Sequence, residues 1–471
     1  MSTLYSRRIL NEPEIHLSFG SPLIPIVSAD NVVLELSNTD AYFDDIDLRG
    51  SLITYARFDK FSLEQIAELT GRVTGQVTLL DRVILTTTVH DLGDLQTLVP
   101  KQTVDAVTFP KADPQQGLGK IIPVVFGIAA STNKVSDAWE LPYVGEDIAS
   151  NYYDYLVGRG TFANVTVYRN TYGDTLFLVP PSEYAVNTTA YPGYTVIRFS
   201  LATSVAPRQA SFGGGMHRLF AAADSADYGR NFVTNIHALL SNATWGLGGS
   251  VNAASAATGA TDMDAVGSMF CDGVMNVQRP AIDWLNQLLI VRGIKLDKNT
   301  TGEWTFAVDK LASTIQAKFG HGRGQQWGNA SEFAGIETTP VSSAVKSLVL
   351  EYRKDRWQDR YALATTARNP LAQGKDLRMQ NEFIRDPLTG DKSADYISKR
   401  LTYGDTKVGF TAGQEARRLR PGDLIGYESM RPLFSKTLRV IDLTRGLTKP
   451  KLGTEGWDSD IYTYPPAALP A

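Results

Sequence analysis

The sequence is poor in the residues from which metal sites and disulfide frameworks are built. Among 471 residues there is one cysteine, Cys271, and there are five histidines. A single cysteine excludes an intrachain disulfide framework and a cysteine-rich metal site, and we predict that Cys271 is a small buried residue near a helix. No two histidines lie three or four residues apart, so the helical arrangement of zinc ligands is absent.

An excess of charge of one sign and a long hydrophobic run are lacking as well. The chain has 46 Lys and Arg against 50 Asp and Glu, which gives a formal net charge of −4 and no bulk attraction for nucleic acid or anionic membranes. The longest apolar run, residues 121–130, contains Pro123 and Gly127 and is too short to cross a bilayer. Residues 1–19 do not have the pattern of a secretory signal. We therefore predict a soluble protein made in a cytoplasm, with no membrane span and no sequence-specific binding of nucleic acid.

The apolar periodicity and the turn signals divide the chain into four predicted domains and an arm. Alternation of apolar and polar residues predicts strands in the first two domains and in the last one, whereas helical spacing predicts an α+β domain between them. The proline- and glycine-rich stretch Phe109–Lys120 marks the first boundary. The predicted limits are 1–120, 121–210, 211–335 and 336–450, followed by an aromatic, proline-rich extended arm at 451–471 that is ordered only where a neighbour holds it.

The stretch Asn231–Gly248 predicts one amphipathic helix that ends in a glycine-rich aromatic turn. Its apolar residues recur at helical spacing and form one stripe (Phe232, Ile236, Leu239 and Leu240). Asn242 and Gly246 are predicted to end the helix, because both tolerate a left-handed backbone.

Other local patterns predict a helix, a hairpin, a turn and a loop. A helix is predicted in Pro280–Gly293, beginning with the proline. A hairpin is predicted in residues 293–308, with Trp304, Phe306 and Val308 buried and Glu303 and Thr305 exposed to solvent. A turn is predicted at Arg420–Asp423 and a connecting loop at Gly320–Gly335. Ser62–Gln65 is a candidate capping box for a short helix through Ile66 and Leu69, with an edge loop as the alternative.

One group of residues is a candidate for binding or hydrolysing sugars, and another is a candidate for binding calcium. Asp44, Asp45 and Asp47 lie beside aromatic residues, as in sugar-binding sites, but a solvated turn explains them equally well. Asp297–Gly302 opens like a calcium loop, yet its twelfth position is Val308 instead of a carboxylate, so a hairpin turn is the better interpretation.

Two further groups are candidates for contacts with phosphate groups. Gly320–Gly324 could cradle a phosphate through its backbone N–H groups, but no P-loop lysine follows and a flexible loop is preferred. Arg417, Arg418 and Arg420 could contact nucleic acid, although Glu415 and Asp423 beside them favour a surface ion-pair cluster. No Gly-x-Ser-x-Gly elbow occurs. We therefore predict that the protein is not an enzyme and that it has no catalytic, cofactor-binding or metal-binding residue.

Five passages resemble, in their order along the chain, the tail-tip and baseplate hub proteins of tailed bacteriophages, a group that includes the lambda-like tail-tip protein and the hubs of contractile tails. Each passage alone is ordinary strand or turn chemistry, and their order carries the resemblance. The passages are Leu34–Asp40, Leu118–Gly127, the helix and Trp-Gly-Leu-Gly turn of Asn231–Gly248, the hairpin at Gly302–Trp304, and Leu419–Ile425 with its Pro-Gly-Asp turn.

The resemblance implies a mainly β, multidomain fold with an α+β middle, in which two tail-tube-like β-barrel domains, the first and the last, flank smaller strand-rich and helical domains. It also implies a homotrimer in the virion that closes the distal end of the tail tube and takes part in host attachment and DNA ejection. Its partners would be distal tail and tail tube proteins, the tape measure protein, and spike or fibre proteins. Lambda-like members continue into fibre-binding regions beyond the position of Ala471, so fibres or spike are expected to belong to other chains. The alternatives are a tail-associated glycan or peptidoglycan hydrolase and a carbohydrate-binding module at the tail tip.

Overall fold

A computed structural model describes most of the chain, and within the described residues the secondary structure is mainly β, with four α-helices. None of these helices is both long and apolar enough to cross a membrane. The described residues are 10, 15–19, 23, 26–29, 32–58, 65–88, 93–114, 117–127, 135–147, 152–170, 175–200, 218–299, 301–311, 314–321, 329–338, 343–369, 372–430, 433–445 and 449–464.

The first half of the chain consists of strands. In chain order they are β1 Ile15–Phe19, β2 Val27–Ala29, β3 Val32–Ser37, β4 Leu52–Phe58, β5 Gln65–Thr78, β6 Arg82–Thr88, β7 Leu98–Val99, β8 Val124–Phe126, β9 Trp139–Glu140, β10 Tyr143–Asp147, β11 Tyr152–Arg159, β12 Phe162–Asn170, β13 Leu176–Leu178, β14 Tyr184–Asn187, β15 Tyr194–Ser200 and β16 Arg218–Ser225.

The second half mixes helices and strands. Its elements are α1 Phe232–Ser241, α2 Ala253–Ala265, β17 Gly273–Met275, β18 Arg279–Pro280, α3 Ala281–Leu289, β19 Lys295–Lys298, β20 Trp304–Ala307, β21 Ile315–His321, β22 Ala330–Thr338, β23 Ser347–Asp355, β24 Arg360–Arg368, β25 Asp376–Asn381, α4 Pro387–Tyr403, β26 Thr406–Ala412, β27 Leu424–Met430, β28 Leu433–Arg445 and β29 Lys451–Gly456.

The strands form several separate sheets. β3, β6, β5 and β4 make an open antiparallel sheet in the first region, which we call the first sheet. Two four-stranded sheets, β10-β11-β15-β14 and β13-β12-β16-β9, pack face to face around buried residues such as Tyr155, Val167 and Phe199. The largest core lies between α1, α3, α4, the β19–β20 hairpin and the three-stranded sheet β24-β23-β25.

The last region is built on an eight-stranded sheet in which β28 is central. β28 pairs with β29 on one side, and with β27 and β1 on the other, so the start of the described chain joins its end. The sheet curves around Phe410, Tyr427 and Leu438 into a half-barrel. The edge strands β21 and β22 meet through the side chain of Asn329, whose Nδ2 donates to the Lys318 carbonyl at 3.0 Å, while its Oδ1 accepts from the Gly320 N–H at 3.1 Å.

The prediction of a mainly β, multidomain chain is confirmed, but the two β-barrels implied by the resemblance are not found as closed barrels among the described residues. One reason is visible at Asn329, where a side chain replaces the ladder of backbone bonds that closure requires. The predicted domain limits stay predictions.

Three local predictions are wrong. Residues 65–78, expected to begin with a helix, are strand β5, because β4 and β6 supply ladder partners along its length; Ser62–Glu64 lie outside the described residues. Gly320 and residues 330–335 belong to β21 and β22 instead of a loop. Residues 451–462 form β29 and a 3-10 turn instead of an extended arm, whereas 465–471 lie outside the description.

The predicted hairpin and helices are present with shifted ends. β19 and β20 pair antiparallel, with Trp304, Phe306 and Val308 buried as expected, while Glu303 and Thr305 are half-buried. The helix predicted to begin at Pro280 begins at the next residue and ends at Leu289, before Arg292 and Gly293.

Candidate functional site

The helix and aromatic turn of Asn231–Gly248 form one compact unit. The Asn231 side chain caps α1 by accepting from the N–H groups of Val233 and Thr234. At the other end the Asn242 side chain accepts from the N–H groups of Thr244 and Trp245, at 2.9 and 3.1 Å. The turn therefore satisfies its backbone groups locally and directs the indole of Trp245 into the core, where it is fully buried.

The prediction that Asn242 and Gly246 end the helix through a left-handed backbone is wrong. Asn242 has an extended backbone, and among the described glycines Gly246 is not one of those with positive φ; the residue with the left-handed backbone is Gly248, with φ +74°. Gly246 is required for another reason. A Cβ at this position would overlap the Leu239 carbonyl oxygen, because the turn folds back against the end of the helix.

Trp245 joins the turn to the passage Leu118–Gly127, which lies more than a hundred residues earlier. The rings of Trp245, Phe126 and Tyr228 form a cluster with centroid distances of 5.6 to 6.0 Å. The indole N–H donates to the Tyr228 hydroxyl at 2.9 Å. Lys101 binds the same turn, donating its N–H to the Trp245 carbonyl at 2.9 Å and its Nζ to the Leu247 carbonyl at 3.1 Å.

The hairpin passage Gly302–Trp304 contacts the end of the same turn. The Trp304 N–H donates to the Ser250 carbonyl at 3.0 Å, and the Asn252 N–H donates to the Trp304 carbonyl at 2.9 Å. The side chains of Asn252 and Asn299 both donate to the Glu303 carboxylate. These bonds lower the pKa of Glu303, the one from Asn252 most. Leu118–Gly127 and Asn231–Gly248 are thus in direct contact, and the hairpin passage bonds to Ser250 and Asn252, which follow the second of them closely.

The Pro-Gly-Asp turn of the last region reaches the other strand of the hairpin. The Asp423 N–H donates to the Arg420 carbonyl at 3.1 Å and Gly422 has φ +96°, which confirms the predicted turn. Arg420 Nη1 lies 3.5 Å from Asp297 Oδ2, and Lys295 Nζ lies 3.8 Å from the same oxygen. Burial lowers the pKa of Lys295 and raises the pKa of Asp423, so this contact is polar but poorly hydrated.

A buried ionic cluster around Asp309 connects the hairpin to α4, to the half-barrel and to the end of the described chain. Asp309 Oδ2 lies 2.7 Å from Arg439 Nη2 and accepts from the Tyr396 hydroxyl at 2.7 Å, while the Tyr462 hydroxyl donates to Oδ1. Burial raises the pKa of Asp309, but the positive charges of Arg439 and Arg400 and the two tyrosine bonds outweigh it, so the pKa lies below its ordinary value.

In this cluster the pKa values of Tyr396, Tyr462 and Arg439 are raised, whereas that of Asp309 is lowered. Burial, reinforced by the charge of Asp309, raises the pKa of Tyr396 to about 12 and that of Tyr462 higher still. Burial lowers the pKa of Arg439, but Asp309 more than compensates, and the net pKa is raised. The cluster therefore stays ionised as Asp309 and Arg439 at neutral pH, with both tyrosines neutral donors.

A second buried ion pair crosses between distant segments. Asp137, which is fully buried, lies 2.8 Å from Arg353 Nη2 on β23 and 3.3 Å from Arg385 Nη1. Neither this pair nor the Asp309 cluster was predicted from the sequence, because the partners are 87 or more residues apart and no local pattern marks them.

The candidate acids of the hydrolase alternative do not converge. Asp44 and Asp45 lie in a turn; Asp44 accepts from the Asn38 side chain at 2.7 Å, and Asp47 pairs with Arg49 at 2.8 Å on the surface. The side-chain hydrogen bond from Arg49 lowers the pKa of Asp47 to about 2. A carboxyl held ionised in this way cannot serve as a general acid near neutral pH.

The remaining candidates have structural positions. Asp297 lies in β19, and Asn299 lies in the turn of the hairpin, where its Oδ1 accepts from the N–H groups of Thr301 and Glu303. Arg417 is buried, which corrects its predicted place in a surface cluster; Arg420 is half-exposed. Cys271 is buried as predicted, and burial raises the pKa of its thiol. Of the glycine loop, Gly320 lies in β21 and residues 322–324 lie outside the described ranges.

No family model matches the chain, and no curated protein has a matching sequence. Solved structures with a similar fold include a tail protein from Neisseria meningitidis MC58, with 9% identity over 96% of this chain and 93% of that one at a TM-score of 0.45. The virion of a native gene transfer agent particle contains another, with 13% identity over 79% of this chain and 91% of that one at a TM-score of 0.47. A third is the 43 kDa tail protein of prophage MuSo2 from Shewanella oneidensis, with 9% identity over 96% and 95% of the two chains at 0.41. These structures are tail and virion proteins, but likenesses at this level do not assign a function to this chain.

Proposed function

We propose that the protein is a structural, non-enzymatic hub at the distal end of a bacteriophage tail. In this proposal three copies close the end of the tail tube and anchor neighbouring tail, spike or fibre proteins. The first sheet and the half-barrel would be the two tube-like units of each chain, so that three chains present six units to a hexameric tube.

The observation that carries the proposal is the way the passages resembling hub proteins contact one another. Phe126 packs on Trp245, Trp304 bonds to Ser250 and Asn252 just after the Trp-Gly-Leu-Gly turn, and Arg420 reaches Asp297 on the other strand of the hairpin. Four passages spread from residue 118 to residue 425 are therefore linked, directly or through neighbouring residues, into one framework. The fifth passage, Leu34–Asp40, forms β3 and a turn closed by Asn38 in the first sheet.

Exposed apolar side chains on the first sheet support assembly with neighbours. Val33, Val77, Leu79 and Leu80 are 44%, 55%, 42% and 98% exposed, and the last two form the tip of the β5–β6 hairpin. Monomeric proteins seldom cluster such residues at the surface, whereas ring formation would bury them.

The test is the mass of the purified full-length chain by light scattering, alone and with candidate tail proteins from the same genome. We expect three times the chain mass of 51.5 kDa, or a ring that forms only with a tail partner. Leu80→Glu is expected to reduce assembly, while Thr74→Lys, at an exposed polar position of the same hairpin, is the matched control. A monomer that ignores every tail protein would contradict the hub.

A further inference from the structure

Strand β24 is a long and regular sheet edge without the features that usually protect one. Within the described part of the chain it pairs only with β23, over eight residue pairs and without a register shift. Three other edge strands, β4, β10 and β22, each contain a register shift. The edge strands β3, β14 and β25 pair without one, but they have six, four and six residues against nine in β24. Sheet edges are commonly blocked by a bulge, a proline or a charge in the middle of the strand, and β24 contains none of them.

The composition of β24 favours pairing with another strand. Its central seven residues are uncharged, and Tyr, Leu and Thr among them favour extended structure. Side chains alternate between half-buried and exposed: Leu363 and Ala367 pack towards the core, whereas Ala362, Ala364 and Thr366 are exposed. Between its ends, the outward face of β24 therefore carries only small side chains. The backbone N–H and C=O groups that do not bond to β23 point away from it, towards the edge of the sheet.

Arginines stand at both ends of this uncharged run. Arg360 and Arg368 are exposed, and no ion pair of either is among those formed by the described residues. Lys346 lies beside the second arginine, since its carbonyl accepts from the N–H of Asn369. The acid on the outward face of β23, Glu351, is occupied by Arg378 at 3.6 Å and by the Gln380 side chain at 2.9 Å. A strand laid along β24 would have an arginine at each end and no charged residue of β24 between them. Asp359, beside Arg360, is paired with Lys354 at 2.5 Å, and Asp391 of α4 accepts from the Thr365 hydroxyl at 2.6 Å on the inward side.

The charges decide which strand fits. A second copy of β24 would place Arg360 opposite Arg368 in an antiparallel pair, or each arginine opposite itself in a parallel one, and like charges directly opposite are destabilising. Residues 1–9 carry Arg7 and Arg8 and no acid. Residues 465–471 contain three prolines, which cannot donate to a ladder.

We propose that β24 is a docking edge for an extended segment of a different protein, bound by strand addition, whose uncharged centre is bracketed by acidic residues about eight positions apart. Backbone hydrogen bonds supply the affinity, and Arg360 and Arg368 set the register and the preference for acidic ends. The inference does not depend on the tail-hub role, since it uses only the edge and its charges.

The experiment measures binding of a labelled nine-residue peptide to the full-length protein by fluorescence anisotropy. The probe has Asp at both ends and alternating Thr and Val between them. There are three comparison peptides. Two are the same sequence with alternate backbone amides N-methylated, one in each phase, and the third has Lys at both ends. We expect saturable binding of the acidic probe, at least about tenfold weaker binding in one N-methylated phase, and weak binding of the Lys version.

Protein variants then separate the edge from general surface charge. The double variant Arg360→Glu and Arg368→Glu is expected to reverse the preference towards the Lys-ended peptide. Arg72→Glu, at an exposed arginine of the first sheet, is the matched control and is expected to leave binding unchanged. Circular dichroism checks that each variant is folded.

Three results would overturn the inference. One is no saturable binding up to about 1 mM peptide, a level at which strand addition of this length is expected to register. Another is equal binding of the parent peptide and both N-methylated forms, which would show attraction by charge alone. The third is a disulfide-linked dimer of Ala364→Cys forming in place of peptide binding, which would make a second copy the occupant; the buried Cys271 would not contribute to it.

Discussion

The largest core, which lies around α1, α3 and α4 and which we call the central core, and the first sheet bury their apolar residues to very different degrees. In the central core, Phe232, Trp245 and Trp284 are fully buried, and α1, α3 and α4 cover one another and the adjoining strands. In the first sheet a small core on one face, around Leu36, Val83 and Leu85, contrasts with exposed valines on the other face and leucines at the hairpin tip. The central core is complete within one chain, whereas the first sheet leaves apolar side chains exposed on one face and at its hairpin tip.

The largest effect is expected from removing the indole of the central core. Trp245→Ala deletes two ring contacts and a hydrogen bond in a fully buried position, so we expect a loss of about 3 to 5 kcal/mol in the free energy of unfolding. Leu80→Ala, in the first sheet, is the matched control and should change it by no more than about 0.5 kcal/mol, because that side chain is 98% exposed. Urea denaturation measures both. Equal losses would contradict the comparison.

The second largest effect on stability is expected from the ionic cluster around Asp309. Asp309→Asn keeps the size of the side chain but leaves Arg439 with a weaker partner, so we expect a loss of about 3 kcal/mol. Asp81→Asn, at the tip of the first sheet, removes only an exposed pair with Arg82 at 3.4 Å and should change stability by less than about 1 kcal/mol. A loss at Asp81 as large as that at Asp309 would refute the assignment.

The same carboxyl predicts how stability depends on pH. The folded pKa of Asp309 lies below its unfolded value of about 3.8, so its contribution is fully present above that value and is lost as the pH falls through the folded pKa. The difference in unfolding free energy between the native protein and Asp309→Asn should therefore be constant from about pH 5 to 8 and shrink below about pH 4. A difference that grows on acidification would show that Asp309 is protonated in the folded state.

The smallest effect on the folded chain is expected on the open face of the first sheet. Val77→Lys should leave the unfolding free energy of the monomer within about 0.5 kcal/mol, since Val77 is 55% exposed. If a neighbouring chain covers this face, the same change should weaken assembly measured by light scattering. Destabilisation of the monomer by several kcal/mol would show that the face packs within its own chain.

Much of the fold was predictable wherever the signal was local. The β19–β20 hairpin follows from alternation of Trp304 and Phe306 with polar residues and from the glycine that ends its loop. The turn at Arg420–Asp423 follows from proline and glycine at the positions that a β-turn favours. Residues 65–69 were misassigned because a one-turn apolar stripe in the sequence predicted a helix, whereas the ladder partners that make them a strand are supplied only by the fold.

By itself the sequence determined that the chain is mainly β, where the aromatic turn after α1 lies, and that Cys271 is buried, because periodicity, turn chemistry and composition act over a few residues. Only the tertiary structure decided that Trp245 meets Phe126, that Asp309 contacts Arg439, Tyr396 and Tyr462, and that β24 pairs with no strand but β23 among the described residues. Those contacts join residues far apart in the chain. Their energies depend on distance and burial, which no local pattern encodes.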